Sequence, residues 1–438
     1  MSAINQELQY SLKPSTVKAK RYTKNIYSLA QNTSYNPQDT IIFQIPTSQY
    51  ATFMDGKTAY LKFNVTFTWT TSGALAANGS TVYLDYSASC FFQQLTAYGN
   101  SGQMLEQIAR YNVLNNALLD VFFSQSEQKA LSPLIGTAEG DTTDAKNRYG
   151  KSWGNATHAG ATTSTQTYTF CIPIMSSLFQ LSEKYIPLHA ISGDSIRLEF
   201  LLDSNANAVY YDTSVANLTS VGWVVSNPEI IVDFVEVSPE AMVGIESLYK
   251  GRDLVLHSSS YRTYEATLTS GTSGQYSLIL PSKLASVKNL VQVHRTSAVQ
   301  AQNGFTLSAF TNLLYGANST WNLSLSGRRI PAKPMMTRVA GDMSGYFAEL
   351  QKAWHALGYS ALNGCLTYTA YASGTNSAVG ATPNATGFII GLNLASIQNA
   401  DQSIMSGVDL SKEQTYIEYN IATALTANHL VDTFLLHD

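Results

Sequence analysis

The stretch AYLKFNVTFTWT, residues 59–70, alternates with a strict period of two. Ala59, Leu61, Phe63, Val65, Phe67 and Trp69 fall on one face, and Tyr60, Lys62, Asn64, Thr66, Thr68 and Thr70 on the other. Successive side chains of an extended chain point to opposite sides, so this run reads as a β-strand with one buried and one polar face. Just upstream, DTIIFQIP (39–46) keeps Ile41, Phe43 and Ile45 in phase and closes at Pro46, which has no N–H to give a ladder.

The signal recurs along the chain. TQTYTFCIPI, SIRLEFLLD, PEIIVDFVEV, RDLVLHSSSYRTYEATL and GQYSLILP are rich in Val, Ile, Tyr, Phe and Thr, which suit a pleated, half-buried surface. NLVQVHR, TWNLSLSG, NGCLTYTAYA, TGFIIGLNL and QTYIEYNIATAL continue the series, with Gly, Ser, Thr and Asn between them. Many short strands at this spacing predict an all-β chain of antiparallel sandwiches or barrels. Two segments break the pattern. GQMLEQIARYNVLNNALLDVFF (102–123) carries Leu105, Ile108, Leu114 and Leu118 at near-helical spacing. GYFAELQKAWHAL (345–357) sets Phe347, Leu350, Trp354 and Leu357 on one apolar stripe. Each is expected to be a helix packed on a sheet.

At 438 residues the chain is too long for one ordinary core, so two domains are expected. A boundary near Ser238 and Pro239, after PEIIVDFVEV, divides it into similar halves, between which no sequence repeat is evident. Hydrophobic residues make up 45%, but charged residues only 13%, about half of the ~25% of a typical soluble domain. Much of the surface is therefore Ser, Thr, Asn, Gln and Tyr, as expected either of a protein in unusual surroundings or of one covered largely by copies of itself. The two longest polar insertions, residues 136–166 and 372–387, fall one in each half, and loops of this length are functional or mobile.

A net charge of −4 argues against a dedicated nucleic-acid binder, which carries a basic domain. The charge is uneven, however. Between Glu7 and Asp39 there is no acid, while Lys13, Lys18, Lys20, Arg21 and Lys24 are all basic. Such a segment is either a solvated terminal arm or one that lies on an anionic surface, lipid or packaged genome, and the residues leave both open. Cys90, Cys171 and Cys365 are few, odd in number and widely spaced, which fits an intracellular, disulfide-free protein. MSAINQELQY lacks the apolar core of a signal peptide, and no apolar run approaches the ~18 residues needed to span a bilayer. A soluble protein made in the cytosol is expected.

Letters that suggest chemistry do not assemble into it. YIPLHAISGDSIRLEFLLD (185–203) holds His189, Asp194 and Ser195, but Gly193-Asp194 reads as a turn and Ser195 as the mouth of a strand. YGKSWG (149–154) ends like a phosphate-binding loop, yet Ala145 stands where that motif needs glycine. Seven histidines show no i, i+4 pair and no neighbouring cysteines, so no metal site is expected. GDMSG (341–345) places its serine one position too late for a nucleophile elbow. No catalytic residue and no cofactor are expected, and the chain reads as something other than an enzyme.

Four stretches carry a family resemblance. They are YNPQDTIIFQIPTSQYATFMDGKTAYLKFNVTFT, CIPIMSSLFQLSEKYIPLHAISGDSIRLEFLLD, RRIPAKPMMTRVAGDMSGYFAELQKAWHALGY and MSGVDLSKEQTYIEYNIATALTANHLVDTFLLHD. In order and spacing the chain resembles the double jelly-roll major capsid proteins of icosahedral DNA viruses, of the polinton-like virus, adintovirus and virophage type. The resemblance implies a basic N-terminal arm over residues 1–30 and two eight-stranded antiparallel β-sandwiches with a few short helices, over 31–238 and 239–438. It implies a homotrimer forming a pseudo-hexagonal capsomer of the virion shell, assembled inside the host cell, with neighbouring capsomers, penton and minor capsid proteins as partners. The long loops would rise on the outside. The arm, through Lys13, Lys18, Lys20, Arg21 and Lys24, would face an internal membrane or packaged DNA. Interfaces favour Tyr over Lys and Glu, and this chain has 26 tyrosines. The alternative is a carbohydrate-binding or adhesin-like β-sandwich, whose Tyr- and Asn-rich loops would grip sugars.

Overall fold

The computed structural model describes residues 18–30, 34–47, 49–73, 82–99, 102–122, 124–137, 152–153, 163–179, 184–191, 195–211, 217–249, 258–296, 307, 310–356, 366, 368–372, 387–396, 406–412 and 414–438. The first strands are β1 (Ala19–Tyr27), β2 (Ser34–Tyr35), β3 (Thr40–Pro46), β4 (Thr52–Thr71), β5 (Val82–Leu84), β6 (Phe92–Tyr98) and β7 (Met104–Ala109). There follow β8 (Ser152–Trp153), β9 (Thr163–Pro173), β10 (Ile186–Pro187), β11 (Ser195–Leu202), β12 (Val209–Tyr211) and β13 (Leu218–Val237). Beyond these lie β14 (Ser260–Leu268), β15 (Gly274–Leu280), β16 (Val287–Thr296), β17 (Thr320–Leu325), β18 (Arg328–Met336), β19 (Ile389–Asn393), β20 (Thr415–Ile421) and β21 (His429–His437).

Two sandwiches are built with one and the same plan. In the first, one sheet runs β1-β13-β4-β9 and the other β3-β11-β6-β7. In the second, the sheets run β14-β21-β16-β19 and β15-β20-β17-β18. Counting the eight principal strands of each in chain order, both have sheets of order first-eighth-third-sixth and second-seventh-fourth-fifth, with every pairing antiparallel. That is the jelly roll, twice. Short β2 and β10 extend the first sheet, and β5, β8 and β12 form a small separate one. Among the described residues, strands up to Val237 pair only with one another, as do those from Ser260 onward.

The alternation of the opening stretch is realised in β4. Leu61, Phe63, Val65, Phe67 and Trp69 are fully buried, while Tyr60 and Thr70 are exposed. Phe63 meets Phe92 of the facing sheet edge-on at 5.0 Å, the arrangement aromatic rings favour. The core of the second sandwich is more polar. Gln292 accepts from Trp321 Nε1 at 2.9 Å and from the Tyr419 hydroxyl at 2.8 Å, and gives its amide to Thr433 Oγ1 at 2.9 Å. These partners span both sheets, so the buried amide is satisfied and fixes their stacking.

Helices fill the connections: α1 (Tyr111–Phe122), α2 (Gln125–Ile135), α3 (Asn205–Ala208), α4 (Pro239–Tyr249), α5 (Ser344–Ala356) and α6 (Tyr368–Ala372). The helix expected over 345–357 is α5, and its Leu350 is fully buried; Leu357 lies outside the described residues. Three expectations are corrected. The helix expected over 102–123 begins only at Tyr111, because residues 104–109 pair with β6 as a strand. Arg110, at φ 54°, turns the chain between the two. The strand expected in NGCLTYTAYA is the short helix α6, whose Tyr371 hydroxyl donates to Ile389 O at 3.0 Å. Finally, residues 19–27 of the expected arm are the first strand of the first sandwich. Most of the long insertions, 136–166 and 372–387, lies outside the described residues.

Candidate assembly surfaces

The basic residues expected to form an arm divide between two settings. Lys13 lies outside the described residues, and Lys18 and Lys20 are exposed at the start of β1. Arg21 is held within the fold. Its Nε donates to Asp233 Oδ2 and its Nη2 to Asp55 Oδ2, both at 2.8 Å. Hydrogen bonds from Thr23 and Arg21 keep Asp233 below the usual carboxylate range. Lys24 places its ammonium 5.2 Å from the centre of the Phe234 ring. On the outer face that carries Arg21 and Asp233, Lys62 donates to Glu229 at 2.7 Å, and that contact raises the lysine above its ordinary value.

Along β9 this face is lined by uncharged polar side chains. Thr163, Thr165, Thr167 and Thr169 of β9 are exposed on it, and Thr66 and Thr167 bond across strands at 2.8 Å. Such a surface loses less on leaving water than a charged one. It was not singled out from the sequence, although the alternating threonines of TSTQTYT carry it.

A second surface is the junction between the sandwiches. The Glu106 carboxylate on β7 accepts from Ser260 Oγ on β14 at 2.6 Å, and Ala109 O accepts from Thr263 Oγ1 at 2.7 Å. Arg110 donates to Glu265 at 3.1 Å, and the buried Asp85 carboxylate accepts from Leu307 N at 2.7 Å. Every one of these contacts joins a residue before Ser238 to one after it.

The suspected chemical residues are kept apart. His189 lies edge-on against Phe53 of β4, 5.1 Å between ring centres, whereas Ser195 opens β11 in the facing sheet opposite Pro46. Asp194, Gly150 and Lys151 lie outside the described residues, and Ser152 sits on two-residue β8 opposite Tyr83. Among the described residues no three His, Cys, Asp or Glu side chains are grouped to hold a metal, and no helix is long and apolar enough to cross a membrane. Cys90 and Cys171 are free thiols, both raised above the ordinary thiol value chiefly by burial; Cys365 lies outside the described residues.

Two closed eight-strand sandwiches joined through a partly buried junction define the chain as a double jelly roll. Among the solved structures it resembles are viral capsid proteins. The Faustovirus major capsid protein superposes with a TM-score of 0.61 at 12% identity, covering 100% of this chain and 92% of that one. The mavirus major capsid protein gives 0.56 at 9%, covering 99% and 90%. The Sputnik virophage structure gives 0.56 at 11%, covering 100% and 90%. At these identities the likeness is one of fold. No protein-family model and no curated protein sequence matches the chain.

Proposed function

We propose that this chain is the major capsid subunit of an icosahedral DNA virus, trimerising into pseudo-hexagonal capsomers of the virion shell. The observation that carries the reading is the doubled plan. Both sandwiches have the same strand order, and the pair matches viral major capsid proteins from end to end. Three copies of a two-sandwich chain present six similar units, which is what a pseudo-hexagonal block requires. The chain divides at Ser238–Pro239, with the first sandwich starting at Ala19. The segment before it, with Lys13 and Lys18, is the part that meets an internal membrane or packaged DNA. Neighbouring capsomers, penton and minor capsid proteins are the other partners. The role is structural and involves no catalytic step.

Purified protein is expected to elute as a trimer or larger capsomer on a sizing column with light scattering, and to show hexagonal outlines by negative stain. A stable monomer that binds a glycan array would instead establish the sugar-binding sandwich.

A further inference from the structure

The junction between the sandwiches hangs largely on one strand. Apart from the bond from Leu307 N to Asp85, the contacts described above are made by β14, whose Ser260, Thr263 and Glu265 meet Glu106, Ala109 and Arg110. Among the described residues β14 pairs only with β21, from Ser260 opposite His437 at one end to Leu268 opposite His429 at the other. Whatever seats β21 in its sheet therefore also keeps the two sandwiches together.

Two buried histidines lie where β21 begins. His429 opens the strand, opposite Leu268 of β14 and Thr296 of β16, and His294 of β16 stands opposite Val431 on the same inward face. His294 Nε2 lies 3.1 Å from the Tyr419 hydroxyl, which itself donates to Gln292. His294 Nδ1 and both ring nitrogens of His429 are buried without a hydrogen bond, beyond a weak contact of His429 with the Arg295 backbone. An imidazolium carries two N–H donors, so protonating either ring asks for acceptors this core does not hold. The titratable groups facing the pair are tyrosines: Tyr419 of β20, with Tyr346 of α5 and Tyr371 of α6 behind Phe388, all raised by burial and so neutral. The ion pairs Arg295–Asp432 and Arg110–Glu265 belong to the opposite face of the sheet. No acid among the described residues offsets a charge on either ring, and His429 adds to the cost of charging His294.

We propose that acid unlocks the two sandwiches from each other: protonated His294 and His429 unseat the start of β21, β14 leaves with it, and the junction opens while the first sandwich stays folded. The opening runs from the Leu268 end of β14, so Glu265 parts from Arg110 first and Ser260 from Glu106 last. The first sandwich is spared because His189, its one described histidine, is not fully buried. A histidine released into water regains its ordinary value of about 6.5, so between pH 7.5 and 5.0 the open population rises about thirty-fold for each ring released. A shell of such subunits loosens in an acidic compartment. That use rests on the capsomer reading above, whereas the switch lies within one chain.

The test uses the full-length chain at pH 7.5, 6.0 and 5.0. Hydrogen exchange, corrected for intrinsic rates, is expected to quicken at pH 5.0 in residues 429–437 and 260–268, while β4 and β11 keep their protection. Spin labels on Gln44→Cys and Gln275→Cys, one exposed on each sandwich, with Cys171→Ser and Cys365→Ser, read the junction itself. Their distance distribution is expected to be narrow at pH 7.5 and broad at pH 5.0, and to stay narrow in a chain that also carries His294→Gln and His429→Gln. Protection lost equally from both sandwiches, or a distribution that does not change with pH, would overturn the switch, and the chain with its histidines intact decides this even if the double variant does not fold. Chains that trimerise at pH 7.5 but keep the junction closed at pH 5.0 would overturn the switch alone. Monomers whose junction opens would overturn the capsomer reading alone.

Discussion

Glu106 of the first sandwich and Ser260 of the second share a hydrogen bond of 2.6 Å in a partly buried seam. The same carboxylate accepts from Ser176 Oγ at 2.5 Å and from Ser177 N at 3.0 Å. One side chain thus ties the fifth strand of one sandwich, a loop beneath it, and the first strand of the other. Replacing Glu106 by alanine strands two buried donors, Ser176 Oγ and Ser177 N, and the half-buried Ser260 Oγ. At ~1–3 kcal/mol for each unsatisfied group, a loss of about 3–5 kcal/mol is expected. Glu106→Gln keeps an acceptor and should cost roughly half as much, read as a shift in the urea midpoint.

The pair Arg295–Asp432 is the most deeply buried ion pair among the described residues, with an Nη2–Oδ2 distance of 2.6 Å and side chains 4% and 1% exposed. Removing one partner leaves a charge in a dry place. Asp432→Ala is therefore expected to cost about 3–5 kcal/mol. An Arg295→Met, Asp432→Leu double variant should recover most of that, because two apolar side chains avoid both desolvation costs. A double variant as unstable as the single one would show that the pair does more than neutralise itself. Denaturant titration of all three proteins decides.

Much of this architecture is legible in the residues, and the failures have local causes. The strand at 59–70 declares itself because its inward residues are all apolar, from Ala59 to Trp69, and alternate strictly with Tyr60, Lys62, Asn64 and three threonines. GYFAELQKAWHAL shows its helix because good helix formers frame Phe347 and Leu350. GQMLEQIAR misleads because Leu105 and Ile108 are spaced as on a helix, and only pairing with β6 makes them a strand. Residues 19–27 read as an arm because the acids that answer Arg21 come from far away, Asp55 being 34 residues on and Asp233 212. The doubling of the fold is invisible for a related reason. Strand order is a property of pairing, and a satisfied amide such as Gln292 serves in one core where Phe63 and Phe92 serve in the other.

Helix α5 sits on β19 where Gly391 leaves room for it. A Cβ at Gly391 would stand 3.1 Å from Ala353 Cβ, 3.2 Å from Leu350 Cα and 2.5 Å from Leu350 Cδ1. The leucine tip can swing away, but the helix backbone cannot. Gly391→Ala should push α5 outward and cost about 1–3 kcal/mol. Leu350→Ala alone should cost about 2–5 kcal/mol through the cavity it opens. In the double variant the new methyl partly fills that cavity, so its cost is expected to fall below the sum of the two. Strict additivity would mean that the helix and strand are not in contact at this point.

The last prediction concerns acid. His294 and His429 are buried in the second sandwich, and His294 Nε2 lies 3.1 Å from the Tyr419 hydroxyl. Burial, helped by the nearby His429, pushes His294 down to about 3. Burial also lowers His429, to about 4, against a hydrogen bond to the Arg295 backbone. Both folded values lie below that of an unfolded histidine, about 6.5. The unfolded chain therefore binds protons that the fold refuses as pH falls from about 6.5 toward 4. Stability is fully present above that range and declines within it, by ~1.4 kcal/mol per pH unit for each histidine. Urea midpoints at pH 7.5, 6.0 and 5.0 should drop accordingly, and hydrogen exchange should quicken first in β21, which His429 begins. His294→Gln, His429→Gln protein is expected to lose stability at pH 7.5 yet show a much flatter dependence between pH 7.5 and 5.0. An undiminished slope in that double variant would place the acid sensitivity in other groups.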